Sequence, residues 1–301
     1  MKVCCFGSLN IDYVYRVRRF VRAGETLPSL ERSVVCGGKG LNQSIALARC
    51  GASVYHAGNV GAADGAMLLS ALQSNGVDTS LICQQNAVSG HAIIQVDAEG
   101  ENCILLHGGT NLSVTKEQID HVFSFFDAGD YVVLQNEINM MPEIVLAAYE
   151  KGMKLILNPS PVAGIRENIP LEMVDYLFVN EEESCQLSGK TDAQSSVQAL
   201  HERYPRMKTV CTLGARGAMV YDGELTFANG RTVHVVDTTG AGDTFLGYYV
   251  GLMMEGEPKD KCLEGAISAA SLCIQKSGAS ASIPYRNQVE SLRMRNAAKA
   301  I

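Results

Sequence analysis

The sequence predicts an α/β protein, with a mostly parallel sheet covered by helices on both faces and a small second β-sheet set apart from it. Three observations carry this expectation. From residue 115 onward, helix-like segments (115–126, 142–151, 182–188, 193–203) alternate with strand-like ones (131–135, 154–157, 176–179, 208–213), the rhythm of a parallel sheet packed between helices. Polar residues follow strand ends in turn, at Glu137, Asn158 to Pro161, Asn180 with Glu183, and Thr212 to Gly214, and that edge is where open α/β sheets bind ligands. Two strand-rich segments, 13–35 and 90–107, stand outside the rhythm. The expected division is an α/β domain of residues 1–10, 36–87 and 109–301 under a discontinuous β-sheet lid of residues 11–35 and 88–108.

In chain order, residues 2–7 read as a first buried strand, with Asn10 and Asp12 just past its C-terminal end. Residues 13–35 mix Val, Tyr and Arg in short strand-like pieces around Gly24 and Pro28. Cys36-Gly37-Gly38-Lys39-Gly40 then opens an apolar-periodic helix at 41–48, where glycines admit a ligand to the backbone and Asn42 offers a donor and an acceptor to a hydroxyl. A strand at 53–57 and a helix near 63–75 precede the hairpin, which turns at Asp97-Ala98-Glu99-Gly100 and is expected to pair with 13–35. Alternation of Tyr13, Tyr15 and Val17 against Ile93, Gln95 and Asp97 predicts a partly apolar outer lid face, and with it a two-fold dimer through the lids.

Val236-Asp237-Thr238-Thr239-Gly240-Ala241-Gly242-Asp243-Thr244-Phe245 reads as a strand running through a small-residue turn into a buried helix. Such a helix start is an anion site, and Asp243 in its first turn is suited to take a proton from an attacking hydroxyl. An ordinary strand-to-helix turn with a favourable first-turn acid fits these residues too.

Composition narrows the classes. With 301 residues, 47% of them hydrophobic and 19% charged, the chain can bury a large core. A net charge of −7 and only a short group of arginines (Arg16, Arg18, Arg19, Arg22) speak against nucleic acid and anionic membranes as partners. No apolar run approaches the roughly 18 residues of a membrane span, and the N-terminus reads as a core strand rather than a signal peptide, so a cytoplasmic protein is expected. Ten cysteines lack C-x-x-C spacing and six histidines lack the helical zinc pattern, so buried free thiols and no structural transition metal are expected. G-x-S-x-G, Walker A and dinucleotide G-x-G-x-x-G motifs are absent.

Gly37-Gly38-Lys39-Gly40-Leu41-Asn42-Gln43 and Asp237-Thr238-Thr239-Gly240-Ala241-Gly242-Asp243 resemble the signature motifs of the ribokinase-like (PfkB) family of carbohydrate kinases, and the resemblance runs from Gly7 to Pro284. It implies a Rossmann-like kinase domain with a β-sheet lid, transferring the γ-phosphoryl of MgATP to a sugar hydroxymethyl. It implies Asp243 as catalytic base, the amides of Gly240, Ala241 and Gly242 as an anion hole, and Asn10, Asp12, Gly38, Lys39, Asn42 and Glu137 as sugar-binding positions. Asn180, Thr212, Gly214 and Gly217 match nucleotide contacts, and Ser268 or its neighbour stands where an Asn or His commonly touches adenine. Glu183 matches an N-x-x-E motif associated with Mg²⁺. Asp237, Thr239, Cys273, Lys276, Gly278 and Ser282 match positions that hold an activating K⁺, mostly through backbone carbonyls. Lys39 with Gln43, Gly24-Glu25-Thr26 and Glu101-Asn102 point to the ribokinase branch, hence to D-ribose. Another sugar, nucleoside or phosphosugar is the alternative within the family; an inactive sugar-binding regulator is countered by the intact Asp243, and an oxidoreductase by the missing dinucleotide motif.

Overall fold

Successive residues of the first strand point to opposite faces, and this places two hydrophobic cores. In β1 (Val3–Phe6), Val3 and Cys5 belong to one core and Cys4 and Phe6 to the other, all of them fully buried. The structure, a computed structural model, describes residues 1–297. After β1 come β2 (Asn10–Arg16), β3 (Glu31–Gly37), α1 (Lys39–Cys50), β4 (Val54–Gly61), α2 (Ala66–Gln73), β5 (Asp78–Gln85), β6 (Gly90–Val96) and β7 (Asn102–His107). The alternating part follows: α3 (Lys116–Phe123), β8 (Tyr131–Gln135), α4 (Met141–Glu150), β9 (Lys154–Asn158), α5 (Ile165–Asn168), β10 (Tyr176–Asn180), α6 (Glu181–Ser188), α7 (Ala193–Arg203) and β11 (Lys208–Thr212). A hairpin of β12 (Gly217–Tyr221) and β13 (Leu225–Asn229) leads to α8 (Ala241–Met254), α9 (Lys259–Cys273) and α10 (Arg286–Ala297).

Nine strands form one sheet in the order β13-β12-β11-β10-β9-β8-β1-β4-β5, parallel from β11 to β5. Residues of α1, α2, α8, α9 and α10 cover one face, and residues of α3, α4, α6 and α7 the other. The expected α/β class is borne out. The strands whose ends carry the polar signals, β8 to β11, are direct neighbours in the sheet, so consecutive position in sequence becomes adjacency in space. The sequence reading omits β5 and the β12–β13 hairpin. β5 is an edge strand with one buried residue, Leu81, so it lacks the apolar run that marks its neighbours. β12 and β13 extend the sheet by antiparallel pairing instead of the βα rhythm.

The remaining strands form a separate four-stranded sheet in the order β3-β2-β6-β7. β6 and β7 make the expected hairpin, and β6 pairs with β2 in the register Tyr13↔Ile93 and Tyr15↔Gln95. Asn10 and Asp12 are not in a loop beyond β1. Only residues 7–9 separate β1 from β2, so both side chains stand on the opening positions of a strand that carries them across the sheet edge. Buried Asn111 fastens this crossing, accepting from the Leu9 amide at 3.0 Å and donating to Asn10 Oδ1 at 2.7 Å. On the sheet's far face, Val34, Ile93 and Leu105 are 38%, 41% and 69% exposed. Among the described residues no helix is long and apolar enough to cross a membrane.

Candidate active site

Two helix starts meet at the C-terminal edge of the large sheet. α1 begins with Lys39 and carries Asn42 and Gln43 in its first turns, while α8 begins at Ala241 and carries Asp243. Their closeness follows from glycine: a Cβ on Gly247 would stand 2.4 Å from Ala46 Cβ, and one on Gly251 would stand 2.7 Å from Cys50 Sγ. The bare backbone lets α8 lie directly on α1. Gly240 caps α8 at φ 76°, a left-handed turn with no side-chain cap, so no side chain occupies the first-turn amides, of which that of Ala241 donates to the Thr238 carbonyl at 3.2 Å.

Asp243 is half-buried and accepts on both oxygens, from Asn42 Nδ2 at 3.0 Å and from Gln43 Nε2 at 2.9 Å. Burial pushes its carboxyl up to about 6, against the opposing effect of those two amides and of Lys39. Asn42 Oδ1 is buried and has no protein partner, an acceptor left open beside the carboxylate.

Glu137, just after β8, ties the opening of α1 to the loop after β1. One carboxylate oxygen accepts from the Lys39 amide at 3.1 Å and from Ser8 Oγ, and the other pairs with Lys39 Nζ at 2.9 Å. Burial alone would lower the Lys39 ammonium's pKa, but the charge and hydrogen bond of Glu137, with the charges of Asp243 and Glu183, outweigh it together and the pKa is raised. Asp12 is pushed up to about 6 by burial and then by the charge of Glu137.

These groups line a cavity of about 710 Å³ that holds Asn10, Asp12, Gly38, Lys39, Asn42, Glu137, Asp243, Gly240 and Gly242 together, with Ala92, Ile94, Ile104 and Leu106 of the small sheet as its roof. Asn180, Glu183 and Thr212 line the same cavity further along the edge. A second cavity of about 450 Å³ is lined by Thr212, Gly214, Gly217, Ala241 and Gly242 with Val233, Val235, Ile267, Ala270, Ser271 and Ile274. Thr212, Gly242 and Phe245 line both, so the two spaces adjoin at the start of α8.

Of the matched nucleotide positions, Ser268 is the one that lines neither cavity. It is fully buried and its hydroxyl donates back to the Glu264 carbonyl at 2.6 Å, outside both cavities. Ile267, Ala270, Ser271 and Ile274 recur at i, i+3, i+4 and i+7 and form the α9 face that lines the second cavity, which leaves Ser268 turned about 100° away. That stripe is visible in the sequence, where it is indistinguishable from core.

Glu183 has both oxygens engaged, one by Ser160 Oγ and the other by the Asn180 amide at 2.9 Å, in the capping box of α6. This suits an indirect role toward a metal better than direct ligation. Asp237 accepts from Thr239 N at 2.9 Å, Thr239 Oγ1 at 2.6 Å and Gly278 N at 2.9 Å. Cys273 Sγ lies 3.9 Å from the Thr239 carbonyl and 2.9 Å from Ser282 Oγ, and the exposed Lys276 donates its amide to the Cys273 carbonyl at 3.1 Å. The loops thus present hydroxyl and carbonyl oxygens and a carboxylate, a donor set suited to a hard cation. Among the described residues, no group of three or more His, Cys, Asp and Glu could hold a metal ion.

A family profile, the pfkB family carbohydrate kinase, matches residues 1–286. The ribokinase of Haemophilus influenzae is 33% identical over 291 residues, spanning 94% of this chain and 95% of that protein. That of Staphylococcus aureus is 34% identical, spanning 96% and 98%. Among solved structures, ribokinase from Thermotoga maritima superposes with a TM-score of 0.88 at 30% identity, covering 97% of this chain and 98% of that one. Arabidopsis thaliana ribokinase complexed with ribose and ATP gives 0.85 at 29%, with the same coverages. With its fold, both signature motifs and the full-length match in agreement, the chain belongs to the pfkB family of carbohydrate kinases.

Proposed function

We propose that this ATP-dependent sugar kinase phosphorylates D-ribose on its 5-hydroxymethyl group, giving ribose 5-phosphate. The observation that carries the reading is the position of Asp243, a carboxylate beside the junction of a polar cavity and a largely apolar one. The sugar occupies the polar cavity against Asn10, Asp12, Gly38, Lys39, Asn42 and Glu137, under the small sheet as a lid. The adenine lies in the apolar cavity, with Asn180, Thr212, Gly214 and Gly217 along the nucleotide. Asp243 takes the hydroxymethyl proton as that oxygen bonds to the γ-phosphorus, the bond to the bridging oxygen breaks, and ADP leaves. The first-turn amides at 240–242 stabilise charge on the transferring group.

Magnesium supplies charge neutralisation when bound with the nucleotide, and Glu183 is the residue that would hold it indirectly. Asp237, Thr239, Cys273, Lys276, Gly278 and Ser282 would hold a potassium ion, mostly through carbonyls. The likeness to named ribokinases supports ribose as the sugar. A coupled ADP-release assay over ribose, deoxyribose, fructose, tagatose 6-phosphate and adenosine, in potassium and in tetramethylammonium, tests the reading. Ribose with potassium is expected to give the highest kcat/KM; preference for adenosine or the phosphosugar overturns the substrate, and equal rates in both cations overturn the potassium role.

The exposed Val34, Ile93 and Leu105 support a homodimer through the lids, because one self-complementary patch closes a two-fold assembly. Light scattering after size exclusion is expected to give twice the chain mass, and a monomer mass at micromolar concentration rejects it.

A further inference from the structure

We propose that Gln43, its amide oriented by a buried relay through Gln135 and Asn158, is a positioning residue that fixes the Asp243 carboxylate from behind. Gln43 and Gln135 are both fully buried, and Gln43 lines neither cavity, so a bound sugar does not displace it. Gln43 Nε2 donates to Asp243 Oδ1 at 2.9 Å and to Asn158 Oδ1 at 3.3 Å, while Gln43 Oε1 accepts from Gln135 Nε2 at 2.7 Å.

The orientation of these amides has one solution, and it starts from the main chain. Asn158 Nδ2 faces the Phe178 carbonyl at 3.0 Å, which only accepts, so Asn158 must present its oxygen to Gln43. Gln43 then meets two acceptors, Asn158 Oδ1 and Asp243 Oδ1, and must present its NH₂ to them. Its own oxygen is left for Gln135, which has to turn its NH₂ inward. Gln135 Oε1 is thereby pressed against the backbone of Gly7, where a Cβ would stand 1.9 Å away, and has no hydrogen-bond partner. A buried acceptor is left unsatisfied at the far end of the relay, and Gly7 makes room for it.

This inference rests on Asp243 acting as the base, and it adds how the base is aimed and kept ionised. A hydrogen bond to the charged carboxylate favours that form, and the Gln43 amide is the strongest such influence on Asp243 after burial itself. The other groups acting on the carboxylate are Asn42 and Lys39 from α1, which favour ionisation, and Glu137 beyond β8, which opposes it; Cys5 of β1 lies close behind.

The test is the pH profile of kcat at saturating sugar and nucleotide, so that Asp12, the other carboxylate titrating near 6, is covered by ligand. Gln43→Met is expected to lower kcat about 10- to 100-fold through misalignment, with little change in sugar KM. It is also expected to move the acid limb up by about one pH unit through the lost charge-assisted hydrogen bond. Gln43→Glu, which keeps the acceptor for Gln135 but sets a carboxylate against Asp243, moves the limb further in the same direction. Gln135→Met, which frees the Gln43 amide without touching Asp243, gives a smaller upward shift and decides the matter if the Gln43 variants do not fold. A limb that stays in place in the folded variants overturns the proposal. Asp243→Asn run alongside separates the two readings, because near-normal turnover there removes the base itself, whereas lost turnover with an unmoved limb in the Gln43 and Gln135 variants removes only the positioning role.

Discussion

The two adjoining cavities are built by different means. The larger sets charged and amide side chains beneath an apolar roof of Ala92, Ile94, Ile104 and Leu106, and Glu137, Asn42 and Asp243 are each held in hydrogen bonds before any ligand arrives. The smaller is lined by glycine backbone at Gly214, Gly217 and Gly230 and by apolar side chains from 233–235 and α9. A site with fixed hydrogen-bonding partners rejects a ligand that leaves them unpaired, whereas an apolar slot selects mainly on shape. Fine discrimination is therefore expected on the polar side, and tolerance of single side-chain changes on the apolar side.

The largest expected effect falls on the carboxylate beside the junction. Asp243→Asn keeps the shape and removes the proton acceptor, so kcat should fall about 10²–10⁴-fold while nucleotide binding by calorimetry and the melting temperature stay near those of the parent. The same group sets the pH dependence. Its pKa is raised to about 6, the base works only when ionised, and kcat should drop about tenfold for each pH unit below that value. A flat profile down to pH 5 would contradict the assignment.

Glu137→Gln comes next, because it leaves the Lys39 ammonium half-buried without its counter-charge and loosens the loop that holds Ser8. Sugar KM should rise about 10- to 100-fold with nucleotide KM within about twofold, and equal rises in both would dissolve the contrast between the cavities. The smallest effects belong to α9. Ile267→Ala should raise nucleotide KM by about threefold to tenfold through lost apolar contact, and Ser268→Ala should leave it unchanged, since that hydroxyl bonds only its own helix. A larger loss at Ser268 would return it to the nucleotide site.

That contrast also explains what could be read in advance. Lys39, Asn42, Glu137 and Asp243 carry their chemistry on their side chains, so residue type and spacing mark them as candidates, and the βα rhythm brings the strand ends to one edge. The apolar cavity has no such signature. Ile267, Ala270 and Ile274 look like core residues until a slot is seen beside them, and between the polar residues Ser268 and Ser271 the sequence does not tell which one faces the slot. Gln43 sat inside a recognised motif, yet its part in holding Asp243 depends on Gln135 and Asn158, 92 and 115 residues away along the chain. Residue type and position mark Asn10 and Asp12 as candidate ligand groups, but that a strand presents them depends on the pairing of β2 with β3 and β6.

The close crossing of α1 and α8 has a consequence for biosynthesis. The Asn42–Asp243 contact spans 201 residues of chain, so α1 leaves the ribosome with its α8-facing side uncovered until α8 follows. At ordinary translation rates of about 5–20 residues per second, that interval is about 10–40 s. Throughout it, α1 lacks the partner that Gly247 and Gly251 bring against Ala46, Leu47 and Cys50, residues that are buried in the finished fold. The nascent chain thus offers holdase chaperones a defined hydrophobic target, and catalytic competence arrives only after α8 has been made.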